Sequence, residues 1–561
     1  MIRRTWLLLL VLLVACSPRT STPTATPPAS SPTAPPPSPT TPPPTPPPVP
    51  AAWWHDDVFY ELFVRSFADS DGDGNGDLQG LMARLDYLND GDPAGGQDLG
   101  VTGLWLMPVF SSPSYHGYDV TDYTTVNPDY GSNDDFRALV AEAHRRGVRV
   151  IVDMVLNHTS DEHPWFLDSA SGPGAERRDW YIWADANPEY SGPQAQVVWH
   201  ERDGDYYYGF FESGMPDLNL QNPEVTAALY EVARFWIEDM DVDGFRLDAA
   251  RHYVEEGRTQ VHTEATHAWL QEFYRYSMEL DPELLTVAEV WDVSDVVATY
   301  VGTDVDLAFE FSLAKAILLS VNEGGVTALA SALKELQRLY PRGGYATFLT
   351  NHDQDRVMNV FSRDEVKARL AATILFTLPG VPFLYYGEEI GMTGSKPDPQ
   401  IRTPMQWTAG PQAGFTTGTP WQPVNEGYEE RNVEAQAADA SSLLNHYRTL
   451  IALRQAHPAL SSLNLHVLDS AGRTVLAYLR TTEEEAILVV LNLGIRETDA
   501  FALGSRESPL APGRYTARDL LAGNEAEALV VAEGGAVEGY QPVPVLAPQG
   551  ALILEMAPAL P

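Results

Sequence analysis

The feature that most constrains the fold is a regular alternation, starting near Trp53, between short apolar runs and longer segments of helical periodicity. Eight runs have the length and composition of buried strands: 58–67, 101–110, 148–155, 242–247, 285–290, 306–311, 345–350 and 381–386. Eight buried strands that alternate with helices predict a (β/α)₈ TIM barrel of the α/β class. A doubly wound parallel sheet is the alternative, but no Gly-x-Gly-x-x-Gly sequence follows the first run.

Two parts of the chain depart from this alternation and predict additional domains. Residues 159–220, after the third run, are rich in Trp, Tyr, Pro and Gly and have little helical periodicity. So long an excursion predicts a small inserted domain over the barrel mouth. A last helix is predicted at 443–456, and the alternating short strands beyond it predict a C-terminal all-β sandwich domain at 459–561. The barrel with its insertion would occupy 53–458.

The amino terminus predicts export. Residues 1–15 combine a basic start with an apolar run too short to span a bilayer, which is typical of a signal peptide. The sequence Leu-Val-Ala before Cys16 resembles the lipobox of bacterial lipoproteins, which implies cleavage there and lipidation of the Cys16 sulfur. Residues 16–50, rich in Pro, Thr and Ser, would then tether the folded domains to a lipid at the cell surface. A secreted protein with an ordinary signal peptide is the alternative.

Charge and cysteine content exclude some classes of function. The 77 acidic residues against 36 basic ones give a formal net charge of −41. A surface of this sign repels polyanions, so we expect no nucleic-acid partner. After the leader no segment is apolar enough to cross a membrane, so we expect membrane contact through the N-terminal lipid only. Cys16 is the only cysteine in the sequence, so no intramolecular disulfide can form.

An acidic loop after the first run predicts a calcium site. The segment 69–77 reads Asp-Ser-Asp-Gly-Asp-Gly-Asn-Gly-Asp and carries four carboxylates at alternating positions: Asp69, Asp71, Asp73 and Asp77. Hard oxygen ligands at this spacing suit Ca²⁺. The twelfth position is Gly80 instead of the Glu of an EF-hand, and the loop follows a strand, so we expect a structural ion. A solvated acidic turn is the alternative.

Polar residues end several of the predicted strands, where a core would not tolerate them. The third, fourth, fifth and seventh runs lead into DMVLNH (153–158), GFRLDAARH (244–252), AEVW (288–291) and FLTNHDQDR (348–356). In a (β/α)₈ barrel the carboxyl ends of the strands converge on one site. Asp248, Glu289 and Asp353 would therefore meet, although they are far apart in the sequence.

The types of these residues predict glycoside hydrolysis. Arg246 and Asp248 are two positions apart on one strand and point to the same side, so the guanidinium would keep the carboxylate ionised, as a nucleophile requires. Glu289 lies in an apolar setting, which raises the pKa of a carboxyl group and suits a general acid. Two carboxyl groups with different pKa values at one cleft are typical of glycosidases.

Ordered motifs over residues 53–560 resemble glycoside hydrolase family 13, the α-amylase family. The four segments above are similar to its four main sequence regions, and GLWLMP (103–108), MPDLN (215–219) and GVPFLYYGEEIGM (380–392) are similar to further ones. The resemblance implies a TIM barrel with a domain B inserted after strand 3. It also implies cleavage of α-glucosidic bonds by double displacement.

The resemblance further implies roles for single residues. Asp248 matches the nucleophile, Glu289 the acid/base and Asp353 the carboxylate that stabilises the transition state. Groups that bind sugar in the family are matched by Tyr118, His158, Arg246, Arg251, His252 and His352, with Arg251 in place of a Lys. The matching calcium ligands are Asp69, Asp71, Asp73, the Asn75 carbonyl and Asp77. Asn157 matches a residue that holds a different Ca²⁺ in many amylases, and we leave that second site open.

Two motifs indicate the subfamily. MPDLN lies between the QPDLN of oligo-1,6-glucosidases and the MPKLN of neopullulanases, and so resembles the intermediate α-amylase subfamily. Tyr115 stands where oligo-1,6-glucosidases carry an Asp that helps close the cleft. We therefore expect a monomeric, endo-acting enzyme that hydrolyses α-1,4 bonds of starch and maltooligosaccharides. The alternatives are an exo-acting α-glucosidase or oligo-1,6-glucosidase, a neopullulanase-like or transglycosylating enzyme, and an inactive surface starch-binding protein.

Overall fold

The computed structural model describes residues 52–92, 96–340 and 343–559, so the predicted signal peptide, Cys16 and tether lie outside the described residues. Eight parallel strands form a closed barrel: Phe59–Leu62, Gly103–Leu106, Arg149–Met154, Gly244–Leu247, Leu285–Ala288, Leu307–Phe309, Tyr345–Thr347 and Val381–Tyr385. Each pairs with the next in chain order, and the eighth pairs with the first. The predicted (β/α)₈ barrel is confirmed, and each strand lies inside its predicted run.

Helices surround the barrel and follow the signals in the sequence. Asn133–Arg145 begins with a capping box, in which the Ser132 hydroxyl accepts from the Asp135 amide and the Asp135 carboxylate accepts from the Ser132 amide. The helix predicted at 443–456 is observed there. The α-helices are Val64–Phe67, Leu78–Ala83, Leu85–Leu88, Asn133–Arg145, Pro164–Ser169, Pro223–Arg234, Glu264–Leu280, Ser294–Val297, Phe311–Glu323, Thr327–Leu339, Val357–Val360, Glu365–Thr377, Asp398–Ile401, Val433–Ala438, Leu443–Ala456 and Pro458–Ser461.

Aromatic side chains fill the centre of the barrel. The rings of Phe59 and Phe383 stack with their centroids 4.5 Å apart, and Trp105 and Phe309 belong to the same buried cluster. A Cβ atom at Gly103 would lie 2.5 Å from the Phe59 ring, so glycine is needed there for close packing. Because the interior is filled, polar side chains can converge only at the barrel mouth.

The segment between the third barrel strand and Pro223–Arg234 packs around an apolar cluster of its own. It contains the helix Pro164–Ser169 and a three-stranded antiparallel sheet: Trp183–Ala184, Trp199–Arg202 and Asp205–Tyr208. Val198, Trp199, Tyr208 and Phe210 form the cluster. A separate two-stranded sheet, Phe110–Ser111 with Asp122–Val126, follows the second barrel strand.

The C-terminal region is all-β, as predicted, and the pairing of its strands runs in a closed order. Its antiparallel strands are Leu465–Ser470, Val475–Thr481, Ala486–Asn492, Leu503–Ser505, Gly513–Asp519, Glu525–Val531, Val537–Tyr540 and Ala551–Pro558. The short strand Leu503–Ser505 pairs with Leu465–Ser470 on one side and Val537–Tyr540 on the other, which joins the two edges. Closure satisfies backbone groups that open sheet edges would expose.

One hydrophobic cluster extends across the contact between the catalytic barrel and the C-terminal domain. Tyr478 and Val489 of the C-terminal domain belong to the same buried cluster as Leu444 and Ile451 of the last long helix. The hydroxyls of Tyr478 and Thr377 lie 2.6 Å apart across this contact. Across the described ranges, no helix combines the length and apolar character needed to span a membrane.

Candidate active site

Arg246 lies at the centre of the polar cluster formed by the strand ends. Its Nη1 donates to Asp153 and to Asp248, each at 2.6 Å, and its Nη2 lies 3.0 Å from Glu289 Oε2. Arg246 is only 1% exposed, so water screens these contacts little. One guanidinium thus brings together carboxylates from the third, fourth and fifth strands, as the convergence argument predicted.

Asp248 and Glu289 have similar burial but different neighbours. Burial raises the pKa of both carboxyl groups, and Arg246 opposes the rise in both. The Ala249 amide donates to Glu289 Oε2 at 3.1 Å. Ala249 has a φ of 49°, a left-handed conformation that is strained for a residue with a side chain. The backbone directly after Asp248 is therefore held so that its N–H points at Glu289.

Asp353, after the seventh strand, faces cations. Arg402 Nη2 donates to its Oδ1 at 2.9 Å, and Lys396 Nζ lies 4.0 Å from the same atom. His352 Nε2 lies 3.3 Å from Oδ2. Burial favours the neutral acid, but His352, Arg402 and Lys396 together hold the pKa of Asp353 well below its usual range. Asp353 is therefore the stronger acid, since burial raises the pKa of Glu289.

The predicted sugar-binding residues surround one cleft made of two adjoining cavities. A cavity of about 310 Å³ is lined by Tyr118 and His158 together with all three predicted catalytic carboxylates. A second, of about 290 Å³, is lined by Arg251 and His252. Glu289, Asp353 and Phe211 line both. Arg246 and His352 lie behind these walls and contact the carboxylates.

The histidines and Tyr118 offer hydrogen-bonding groups to this cleft. The Tyr118 hydroxyl donates to Asp153 at 3.0 Å and lies 2.7 Å from His352 Nε2. Burial lowers the pKa of His158 to about 4, and within the described residues its buried Nε2 has no hydrogen-bond partner. Burial also lowers the pKa of His252 to about 3. Both rings are thus neutral at pH 7. The two His252 nitrogens are already bonded, Nε2 to the Arg251 guanidinium at 3.0 Å and Nδ1 to the Gln260 carbonyl at 3.1 Å.

Several charged residues of the site were not found from the sequence. Arg402 and Asp398 line the first cavity, and Glu61 contacts His352. Asp398 begins the single helical turn Asp398–Ile401 after the eighth strand, and Arg402 directly follows that turn. So short a helix has no hydrophobic periodicity that could predict it. Glu61 carries a signal that could have revealed it, since it is a charge in the middle of the buried strand Phe59–Leu62.

The acidic loop brings together three of the four predicted carboxylates. One oxygen each from Asp69, Asp71 and Asp77 lies within 4.8 Å of the others, which fits a hard divalent cation. Asp73 lies outside this group, and its carboxylate accepts from the Asn75 amide at 2.7 Å. Burial opposes ionisation of Asp69, yet hydrogen bonds from Thr416 and three backbone amides keep its pKa below the usual range. The chemistry of the residues therefore fits Ca²⁺ as a structural ion.

Asn157, where a second calcium position was left open, lies beside two buried acids. The Asp217 carboxylate accepts from the Phe210 amide at 2.9 Å, and Asn157 and Glu255 both influence its pKa. Burial raises the pKa of Asp217 to about 7 and that of Glu255 well above its usual value, so this pair holds protons. Across the described residues, only the acidic loop groups three side chains at metal-binding distance.

The largest cavity near the inserted segment contains none of the predicted site residues. It has a volume of about 780 Å³ and includes Trp183, Tyr190 and Glu255 in its wall. The Trp183 ring stacks on Phe166, and the Arg178 guanidinium lies 3.7 Å from the Trp183 centroid, so this ring packs against other side chains of the insertion. The chemistry of the barrel mouth has no counterpart there.

Known proteins share both this fold and these motifs. Residues 61–462 match the model of the alpha-amylase catalytic domain. Alpha-amylase 3 of Dictyoglomus thermophilum is 41% identical over 445 residues, which are 79% of this chain and 85% of the relative. An oligo-1,6-glucosidase of Parageobacillus thermoglucosidasius is 32% identical over 533 residues, covering 80% of this chain and 92% of the relative.

A solved structure shows the same fold. The crystal structure of the alpha-amylase from H. orenii superposes with a TM-score of 0.78 at 39% identity, and covers 89% of this chain and 99% of that one. The matched family region contains seven of the eight barrel strands, the carboxyl end of the first strand and every strand end that builds the cleft. The chain therefore belongs to glycoside hydrolase family 13, the α-amylase family, and is an enzyme of that family.

Proposed function

We propose that the protein is an extracellular, endo-acting α-amylase that hydrolyses α-1,4-glucosidic bonds of starch and maltooligosaccharides. The observation that carries this proposal is the two-sided cleft, because cavities on both sides of Glu289 and Asp353 leave room for glucosyl units on either side of the reacting bond. Tyr115 supports it, since it stacks on Trp421 at 5.3 Å and supplies no carboxylate to close the cleft. A 41% identical relative is named an α-amylase.

In the first half of the reaction, an Asp248 oxygen attacks the anomeric carbon and the bond to the glycosidic oxygen breaks. Glu289 gives its proton to the departing oxygen, which leaves a covalent β-glucosyl-enzyme. Arg246, at 2.6 Å, holds the attacking carboxylate in place. The Ala249 amide holds the acid. Asp353 and the neutral His158 would bond sugar hydroxyls as positive charge develops on the ring.

In the second half, water replaces the leaving group. Glu289, now ionised, takes a proton from the water as its oxygen attacks the anomeric carbon, and the bond to Asp248 breaks. Two inversions give net retention of configuration. The burial that raises the pKa of Glu289 suits a group that must carry a proton in one half and accept it in the other.

A bound Ca²⁺ would serve stability and not the chemical steps. It would neutralise the mutually repelling carboxylates of Asp69, Asp71 and Asp77, which lie apart from the cleft residues. The loop contacts a segment that follows the eighth strand, through the Asp69 amide to the Phe415 carbonyl at 3.0 Å. An ion there would stabilise the barrel where its ends meet.

We further propose that the enzyme is anchored at the cell surface through lipidated Cys16. The lipobox-like sequence and the Pro-rich segment 17–50 support this proposal. The full chain expressed with its leader should partition into detergent, and Cys16→Ala should move it to the aqueous phase or keep the leader uncleaved. If the leader is removed from both proteins and both stay in the aqueous phase, simple secretion is favoured.

A second candidate is an exo-acting α-glucosidase. Arg402 and Asp398 favour this candidate, because both line the first cavity. A charged pair at that position would close one end of the cleft to longer glucan chains. The 32% identical relative named an oligo-1,6-glucosidase also supports it.

The test is the time course of products from soluble starch. We expect early mixed maltooligosaccharides with a rapid loss of iodine colour, lost in Asp248→Asn and kept in Asp295→Asn, whose carboxylate pairs with Arg338 at the surface. Glucose alone from the start would support the exo-acting candidate. Starch retention without turnover in the wild type would support the inactive binding protein.

A further inference from the structure

Glu61 is a carboxylate buried inside the first barrel strand. It is 2% exposed, and its neighbours Tyr60 and Leu62 are fully buried. Its Oε1 lies 2.5 Å from His352 Nδ1 and accepts from the His352 amide at 3.3 Å. Within the described residues, His352 is the only ion-pair partner of Glu61. A buried carboxylate without Arg or Lys is stable as an ion only if the histidine beside it is charged.

The other edge of the His352 ring also faces acceptors. Nε2 lies 2.7 Å from the Tyr118 hydroxyl and 3.3 Å from Asp353 Oδ2. A neutral imidazole has one N–H and could donate a hydrogen bond from only one of its two nitrogens. The imidazolium has two N–H groups and can donate from both. The Tyr118 hydroxyl in turn donates to Asp153, which leaves its oxygen able to accept from Nε2.

The remaining neighbours of His352 complete this environment. Arg402 Nε donates to the His352 carbonyl at 3.0 Å, and the Trp105 ring meets the imidazole edge-on at 5.6 Å. Burial alone lowers the pKa of His352, but the carboxylates of Asp353 and Glu61 raise it to about 9. The positive charge of His352 also acts on other carboxyl groups of the site, since it contributes to lowering the pKa of Asp153, Asp248 and Asp353.

We propose that Glu61 is a positioning residue that keeps His352 protonated, so that the imidazolium acts as a third buried cation of the active site beside Arg246 and Arg402. Glu61 does not line the cleft and acts only through His352. The role in catalysis rests on the proposed function: the charged ring orients Asp353 and Tyr118 and helps to keep Asp248 ionised. The pairing itself does not depend on the substrate.

The discriminating variant is Glu61→Gln. The Gln side-chain oxygen can still accept from Nδ1, so the hydrogen bond and the packing are kept and only the charge is removed. The matched control is Glu388→Gln, since Glu388 is also a buried glutamate next to a barrel strand but its partner is the Tyr447 hydroxyl at 2.9 Å. Circular dichroism and thermal unfolding establish that both variants fold.

The first readout is the pH profile of kcat/KM on maltoheptaose. Removing an opposite charge at this distance lowers a histidine pKa by about 1–3 units. We therefore expect the basic limb of the Glu61→Gln profile to move to lower pH by at least about one unit. The Glu388→Gln profile should overlay the wild type. A Glu61→Gln profile that falls by one factor at every pH, without a change of shape, would overturn the proposal.

The second readout needs no substrate and no variant of Glu61. In protein labelled with [¹⁵N]histidine, the side-chain nitrogen signals of His352, identified by their loss in His352→Asn, report its protonation directly. We expect an imidazolium at pH 7.5 in the wild type. A neutral ring there would overturn the proposal even if Glu61→Gln does not fold. A wild type that fails to cleave glucans but carries the imidazolium would instead refute the proposed function and leave the pairing intact.

Discussion

At the level of single residues, several buried carboxylates of the active site are paired with only a few cations. Arg246 is shared by Asp153, Asp248 and Glu289, so loss of its charge would leave several acids unpaired, which costs about 3–5 kcal/mol for a buried pair. Because the cation is shared, the difference between Asp248 and Glu289 comes from their other contacts. The amide of Ala249 bonds only the second of them.

Glu289→Gln removes the proton that the leaving oxygen needs. We expect kcat on starch to fall by about 10²–10⁴-fold, the range typical of general acid catalysis. Glycosyl transfer from a nitrophenyl maltooligoside should be affected far less, because nitrophenolate leaves without a proton. Starch turnover and the pre-steady-state release of nitrophenolate, which precedes the step that needs Glu289 as a base, measure this ratio, with the exposed Glu256→Gln as the control. Equal losses on both substrates would contradict the assignment of Glu289 as the acid.

At the scale of elements, the acidic loop joins the start of the barrel to the segment after its eighth strand. The Trp421 amide donates to the Gly74 carbonyl at 2.9 Å, and the Trp421 indole donates to Ser66 at 2.9 Å. A Cβ at Gly74 would lie 2.0 Å from the Thr419 carbonyl, so the loop has little room to change. An ion in this loop would therefore stabilise two distant parts of the chain together.

Removing calcium should lower the melting temperature. An ion that binds only the folded protein stabilises it by about 2.7 kcal/mol when present at 100 times its Kd. We expect EGTA to lower the melting temperature of the wild type, and Asp69→Asn to be less stable and insensitive to EGTA. Asp439→Asn is the control, because Asp439 caps an exposed turn elsewhere. Calorimetry with and without Ca²⁺ measures both, and a wild type indifferent to EGTA would refute the site.

At the scale of the whole molecule, two buried arginines join the catalytic barrel to the C-terminal domain. Arg454 donates to the carbonyls of Phe376, Leu378 and Leu460 at 3.0–3.1 Å. Arg480 donates to the carbonyls of Thr377, Ser462 and Asn464. Both are almost fully buried, so each satisfies backbone acceptors that water cannot reach.

Arg480→Met should weaken this junction without changing the cleft. An unpaired buried carbonyl costs about 1–3 kcal/mol, so we expect a clearly lower melting temperature with kcat unchanged at 25 °C. Early cleavage between the two domains by a protease would accompany it. Arg518→Met, at an exposed strand position, is the control. If Arg480→Met unfolds at the wild-type temperature, the junction does not depend on these hydrogen bonds.

Much of this architecture could be predicted because its signals are local. The apolar runs contain all eight barrel strands, and the capping residues Ser132 and Asn222 precede two of the helices. The strand ends in the sequence predict that Asp248, Glu289 and Asp353 meet at one site. That identification needs only the rule that parallel strands of a barrel end on one face.

By itself the sequence determined the barrel, its family and the three carboxylates, since periodicity, capping and motifs act over a few residues. The groups that set the charges of these three carboxylates are visible only in the tertiary structure. Glu61 meets His352 across 291 positions, and Arg402 reaches Asp353 from a turn without periodicity. The closed pairing of the C-terminal strands is also visible only there, because pairing between distant short strands produces no pattern in the sequence of either strand. Such contacts depend on how the whole chain packs.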